Sequence, residues 1–392
     1  MTVALLFLGH FSRQAEAFIP YLAEHGYEVT VINTEHLLSF ETVRGTNIPV
    51  INLYEESKIR ALSKSQAWRL AKAAVYNAAK NLELKQSKLK RIIETRGIEL
   101  IYGGWGSFGL PEFGFAQEFN LPTVYEFLTY PCGSTLLSQR IENFFNRQII
   151  NELDGRVFST QRMHRYMKNE FDIDSGKNLV FMECYPEKFF YRKRLPLLSS
   201  FDGQPHIVFV GMRARYEILT QIEEIASRKI HVHICDLNQD LPEANTKEKL
   251  TYNNAFKNSD FIHTFDMFTY REIADGTFAT FLTQFDAVLV TYNFWRASGL
   301  DKFDNSIPSR FSSALLGGIP IIVPKGYLKG CEEVLDKYQI GFTYENYDAL
   351  KNKLSNKSYL SYYQDNAVEK AKSFSLEANF PRMDKFLKQM IE

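Results

Sequence analysis

Ser309 and Arg310 stand side by side in the stretch Asn305 to Gly326, NSIPSRFSSALLGGIPIIVPKG, and together they have the chemistry of an anion grip. An arginine offers a phosphate two parallel N–H donors, and a neighbouring hydroxyl adds another. Both residues follow Pro308, which suits the first turn of a helix because its missing N–H has no acceptor to lose there. A helix start presents N–H groups and the positive end of its dipole, worth about 0.3–2 kcal/mol toward an anion. The same pair also fits an ordinary capped helix with a solvated arginine. A second basic corner, Gly211-Met212-Arg213-Ala214-Arg215, follows the apolar run His206 to Val210. A strand, a Gly turn and a helix in that order make another anion-binding corner.

The elements that must position these groups can be read from punctuation and periodicity. Gly317-Gly318 suits the end of a helix, where a left-handed residue is needed, so Pro308 to Gly318 predicts a helix of about ten residues. Ile319 to Val323 is a short β-branched run, and Asp286 to Thr291, DAVLVT, is a similar one upstream. Runs of this kind are strands buried on both faces of a parallel sheet. Together they predict a βαβ unit, whose ligand crevice lies beyond the carboxyl ends of the strands.

Pro308-Ser309-Arg310, followed by Ala314, Leu315 and Gly318-Ile319-Pro320-Ile321, resembles the nucleotide-sugar motif of GT-B glycosyltransferases of the family 4 and family 1-like kind. The resemblance implies an α/β fold: two Rossmann-like domains facing a cleft, with a C-terminal helix crossing back to the first domain. It also implies transfer of a hexosyl group from a nucleotide-diphosphate donor, a UDP-sugar being expected, to an acceptor hydroxyl; the basic segment Lys58 to Arg96 allows that acceptor to be a saccharide or lipid-linked. Arg310, Ser309 and Arg213 or Arg215 would hold the diphosphate. Many retaining members carry two glutamates eight residues apart in this motif; Asn305 and Ser313 occupy those positions and are expected to face the donor. Glu332 is the expected substitute for the missing ribose-binding carboxylate, and Asn293, leaving the DAVLVT strand, is placed to bond a sugar hydroxyl.

The chain opens with βαβ order: strand Val3 to Leu8, helix Ala15 to His25 ended by Gly26, strand Glu28 to Asn33. His10 lies in the first loop and Glu126 at the carboxyl end of strand Leu121 to Glu126; these are the two candidates for a general base. A carboxylate beside aromatic residues acquires a raised pKa suited to that role, although it equally fits a carboxylate held by a neighbouring group. Inversion needs such a base and retention does not. Domain boundaries are expected at 1–187, a charged Pro- and Ser-rich linker at 188–204, a donor-binding domain at 205–375, and a terminal helix at 376–392.

Composition narrows the partners. The chain has 392 residues, long for one core, with 46 basic and 46 acidic residues, a balance that argues against a general nucleic-acid binder. Its four cysteines are widely spaced and predict reduced thiols in a cytoplasmic protein, with no disulfide framework or cysteine metal site. No cofactor is expected, and no metal: His231 and His233 share one strand face, but no third ligand is evident nearby. The basic segment Lys58 to Arg96 is read chiefly as a solvated helix face, with peripheral contact at the inner face of a membrane as the alternative. Two other functions fit the same grip: a nucleotide-sugar epimerase of this fold, and a non-catalytic protein binding a nucleotide sugar or a partner. The sequence leaves oligomeric state open.

Overall fold

Short apolar runs separated by helices give, in this chain, two wholly parallel sheets. The computed structural model describes residues 2–7, 13–33, 41–43, 45–52, 83–104, 117–133, 135–173, 177–182, 184–211, 218–235, 259–265, 268–292 and 301–392. It divides into two compact units: Met1–Glu183 with Phe380–Glu392, and Cys184–Asn379.

In the first unit the strands are β1 (Thr2–Phe7), β2 (Glu28–Asn33), β3 (Val50–Asn52), β4 (Leu100–Gly104), β5 (Thr123–Phe127), β6 (Gly155–Phe158) and β7 (Asn178–Val180). They lie in the order β3-β2-β1-β4-β5-β6-β7, all parallel. One face buries Ile101, Tyr125, Phe127 and Phe158 against Met163 and Met167 of the helix Gln161–Glu170. Leu89 and Ile93 of the helix Glu83–Arg96 join the same core, while Lys90 stays exposed. Alternation of this kind is a helix burying one stripe and solvating the other. The rest of the basic segment, 58–82, lies outside the described residues.

The chain's last helix, Leu376–Gln389, returns to this unit. Phe380 packs on Phe18, Tyr21, His25 and Tyr27, and the Tyr27 hydroxyl donates to Asp384 Oδ1 at 2.5 Å. The Arg382 guanidinium donates to the Val180 carbonyl at 3.1 Å.

The second unit holds β8 (His206–Val210), β9 (His231–Cys235), β10 (Ile262–Phe265), β11 (Ala287–Leu289), β12 (Ile321–Pro324) and β13 (Gly341–Tyr344). Their order is β10-β9-β8-β11-β12-β13, again all parallel. From β8 the chain first adds strands on one side, then restarts at β11 on the other. The strand order therefore reverses between β8 and β11, and at such a switch point the loops leave in opposite directions and open a crevice.

Several expected boundaries move. The helix predicted over Pro308 to Gly318 runs Ser309–Leu316, with Pro308 as the N-cap residue one position earlier than expected. Gly318 supplies the left-handed turn at φ 54°; a Cβ there would also lie 2.9 Å from the Tyr191 ring. The segment 269–283 forms two helices, Tyr270–Ala274 and Thr277–Leu282, broken at Gly276 with φ 80°. The linker predicted at 188–204 is docked within the second unit. Tyr191 N–H donates to Leu316 O, Leu195 N–H to Thr283 Oγ1 and Leu198 N–H to Gln284 O. The described division falls at 183/184.

Phe380 anchors the returning helix, so Phe380→Ala should destabilise the first unit by about 3–5 kcal/mol, the usual cost of emptying a buried phenylalanine site. Urea unfolding of the intact chain, followed by exchange of first-unit amides, checks this. A change below about 0.5 kcal/mol would show that the helix is not held there by this side chain.

Candidate functional site

Arg310 brings the switch point and the helix start together. Its Nη1 donates to the carbonyl of Thr291, just past β11, at 2.9 Å. Its guanidinium carbon lies 4.8 Å from the centroid of Phe209 in β8 and 4.5 Å from that of Tyr292. Both rings are within the range where a cation is attracted to an aromatic face. Gly211, immediately after β8, completes the setting: a Cβ added there would sit 3.3 Å from Cζ and Nη2 of Arg310. The bare backbone at Gly211 is what lets the guanidinium lie so close to the end of β8.

The helix start itself presents donors. Pro308 has φ −69° and ψ 143° and makes no side-chain cap, and among the described residues the first-turn N–H groups of Ser309 and Arg310 have no acceptor. Ser309 is exposed and Arg310 half-buried. A first turn of this kind, with a guanidinium beside it, offers donors of the kind an anion accepts from.

The turn on which Arg310 leans is tied down by a residue the motif reading missed. Gln221, from the helix Leu219–Ala226, donates from Nε2 to the Tyr292 carbonyl at 3.0 Å and accepts from the Thr291 hydroxyl on Oε1 at 2.8 Å. Tyr344 of β13 also hydrogen-bonds the Thr291 side chain, and burial pushes its phenol well above the ordinary range, so it remains a neutral hydroxyl. Tyr292 has its ring against Arg310 and Phe303. No local signal marks Gln221 or Phe209, and Gly211 was legible only as a turn glycine, because their roles at Arg310 depend on which strands become neighbours.

The remaining expected site residues are placed as follows. Asn305 ends the short helix Asp301–Asn305 and is buried. Ser313 is 2% exposed, and its hydroxyl donates to the Ser309 carbonyl at 3.0 Å, one turn back along its own helix. Glu332, in the first turn of Lys329–Tyr338, accepts the Gly326 N–H at 2.6 Å and closes the loop after β12. Glu126 is 1% exposed within β5, one residue short of the strand's end, and its Oε2 accepts from the Tyr102 hydroxyl at 2.6 Å. Burial, then the charge of Glu126, pushes the Tyr102 phenol well above its ordinary range, so Tyr102 is fixed as the donor. His10, Arg213, Arg215 and Asn293 lie outside the described residues.

No protein-family model matches the chain, and no curated protein matches it by sequence. Its fold nevertheless coincides end to end with solved structures. Sucrose-phosphate synthase from Thermosynechococcus elongatus aligns with a TM-score of 0.71 at 12% identity, covering 99% of this chain and 98% of that one. HepE of Anabaena, solved in complex with UDP, aligns at 0.68 and 11% identity, covering 99% and 100%. The lipopolysaccharide outer core galactosyltransferase WaaB aligns at 0.63 and 9% identity, covering 99% of each. The fold is therefore α/β of the GT-B class. Among the described residues no helix is long and apolar enough to cross a membrane.

Gln221→Ala would leave the buried Thr291 hydroxyl and Tyr292 carbonyl without this partner, and is expected to lower stability by about 1–3 kcal/mol. Chemical denaturation checks the value. A cost below about 0.5 kcal/mol would mean that the turn is held by other contacts.

Proposed function

We propose that this chain is a glycosyltransferase that moves a hexosyl group from a nucleoside-diphosphate sugar, with UDP as the nucleotide, to a hydroxyl of a saccharide or lipid-linked saccharide. The observation that carries the proposal is Arg310, held at the switch point by the Thr291 carbonyl and two ring faces beside an uncapped helix start. Nη1 is spent on the carbonyl, whereas Nη2 and Nε lie against the side-chain-free backbone of Gly211. HepE, solved with UDP and with UDP-glucose, supports the choice of nucleotide.

The chemistry follows from where charge develops. As the sugar leaves, negative charge grows on the departing diphosphate, and donors already aimed there stabilise the transition state more than the ground state. In this reading Arg310 and the first-turn amides meet that charge without a metal ion, with Ser309 as a further hydroxyl donor. Arg213 or Arg215 would approach from the loop after β8. The buried, hydrogen-bonded Glu126 is poorly placed to take a proton from an acceptor, so an inverting reaction would need His10 as its base, whereas a retaining reaction requires none. Asn305 and Ser313, standing where many retaining members carry glutamates, favour a second reading, a protein that binds the nucleotide sugar without turning it over.

Calorimetric titration with UDP, GDP, ADP and CDP, repeated on Arg310→Ala and Gly211→Val, separates these outcomes. The account expects tight binding of one nucleotide, weakened about 10- to 100-fold in Arg310→Ala, or about 1.4–2.8 kcal/mol. Gly211→Val should act in the same direction by displacing the guanidinium. Release of sugar from UDP-glucose in the presence of a saccharide acceptor would establish transfer, and binding without turnover across acceptors would establish the second reading. Failure of every nucleotide to bind a folded protein would overturn both.

A further inference from the structure

Four of the chain's eight histidines gather on one face of the second sheet, at the edge opposite Arg310. His206 opens β8 and pairs in register with His231, which opens β9. His233 lies two residues along the same face and pairs with His263 of β10. This is the reverse face from the aliphatic core of Ile207, Phe209, Val232 and Ile234. Polar rings on a sheet face need a reason, and their hydrogen bonds give one.

The Nε2 atoms of His206 and His231 both point at a single oxygen, Oδ2 of Asp202, at 3.0 and 3.1 Å. The two rings are stacked, with centroids 4.2 Å apart and planes 12° apart. The other oxygen of Asp202 is occupied, accepting the Gln204 N–H at 2.9 Å. Behind each ring stands another imidazole: His206 Nδ1 lies 2.8 Å from His233 Nε2, and His231 Nδ1 lies 2.9 Å from His263 Nε2. Asp286 accepts the His206 backbone N–H at 2.7 Å and the Ser199 hydroxyl at 2.7 Å, fixing both sides of the Asp202 turn.

We propose that Asp202, His206 and His231 bind a divalent transition-metal ion, zinc being the ion that suits two imidazoles and one carboxylate. The three ligand atoms already lie within 4.8 Å of one another. Ligand atoms about 2.0–2.1 Å from a tetrahedral zinc are separated by about 3.3 Å, so the carboxylate-to-imidazole spacings need to widen by only tenths of an ångström. The Asp202 side chain is 40% exposed, which gives the ion an entry path and leaves water for the fourth position. Ligating imidazoles are ordinarily oriented by a partner on their second nitrogen, and here His233 and His263 fill that role.

The proton balance closes. Without metal, the Nε2–H groups of His206 and His231 donate to Asp202, and their Nδ1 atoms accept from Nε2–H of His233 and His263. When zinc takes the Nε2 lone pairs, those two protons leave to water. The outer rings pass their Nε2 protons to the Nδ1 atoms of the ligands, and each takes up a proton on its own Nδ1. His233 Nδ1 is buried and has no hydrogen-bond partner among the described residues, so it has the vacant lone pair this requires. Lys351, the nearby cation, is drawn to Gln204 Oε1 at 3.1 Å and the Lys229 carbonyl at 2.9 Å.

The site is structural rather than catalytic. The five residues of β8 separate its edge from Gly211 and Arg310, a distance of about 16 Å at the usual rise of a strand. A bound ion would join the starts of β8 and β9 to the turn after Ser199–Asp202, and the inference stands whether or not the chain transfers sugar.

The test uses untagged, full-length protein stripped with a chelator and titrated with zinc chloride by calorimetry, with metal content measured after gel filtration. One zinc per chain, with a raised melting temperature, is expected. Asp202→Asn, which keeps a hydrogen-bonding side chain on an exposed position, and His231→Asn should each weaken zinc binding at least tenfold. The metal-free melting temperature of Asp202→Asn should stay near that of the parent. Cobalt(II) in place of zinc should give the intense visible bands of a tetrahedral site in the parent and lose them in both variants. Absence of zinc from the folded parent, or undiminished binding in both variants, would overturn the proposal.

Discussion

A guanidinium cannot be left half-buried without partners, and the second unit is arranged around satisfying that requirement at Arg310. A cation over an aromatic face gains about 0.5–2 kcal/mol, and a hydrogen bond from a charged donor about 1.5–3 kcal/mol. Ordering the side chain costs about 1.5–2 kcal/mol of rotamer freedom. Two ring faces and the Thr291 carbonyl together exceed that cost, so the guanidinium is held in place before any ligand arrives. An anion binding there would meet a preset donor, and the ordering cost would not subtract from its affinity.

That arrangement depends on strand order more than on the motif carrying Arg310. Phe209 and Gly211 come from the end of β8, Thr291 and Tyr292 from the end of β11, and Arg310 from the helix that leads into β12. These segments meet only because β8 and β11 are neighbours while the chain between them runs outward to β10 and back. Gln221 links the first helix after β8 to the turn after β11, tightening the same junction. The sheet thus has two chemically distinct ends: the Arg310 guanidinium at its carboxyl end and a histidine-carboxylate cluster at its amino end.

What the sequence shows reflects how far each feature reaches along the chain. The helix after Pro308, the Gly318 turn and the strands β11 and β12 are local and were legible to within a residue or two. The returning C-terminal helix was legible as a terminal helix, but its Phe380 anchor was not. Glu126 looked like a strand-end base; the strand runs one residue further, and register pairing with Gly104 puts it in the interior beside Tyr102. His231 and His233 could be seen to share a face, yet Asp202 and His206 come from an earlier element and reach them through parallel pairing, which no local window reveals.

The central claim is that Arg310 and the helix start of Ser309–Leu316 hold the diphosphate. A crystal structure of the protein with UDP tests it most directly. The account predicts β-phosphate oxygens at about 2.7–3.2 Å from the Arg310 guanidinium and from a first-turn N–H, with the guanidinium still over Phe209 and Tyr292. Nucleotide bound elsewhere, or a diphosphate out of reach of Arg310, would contradict it.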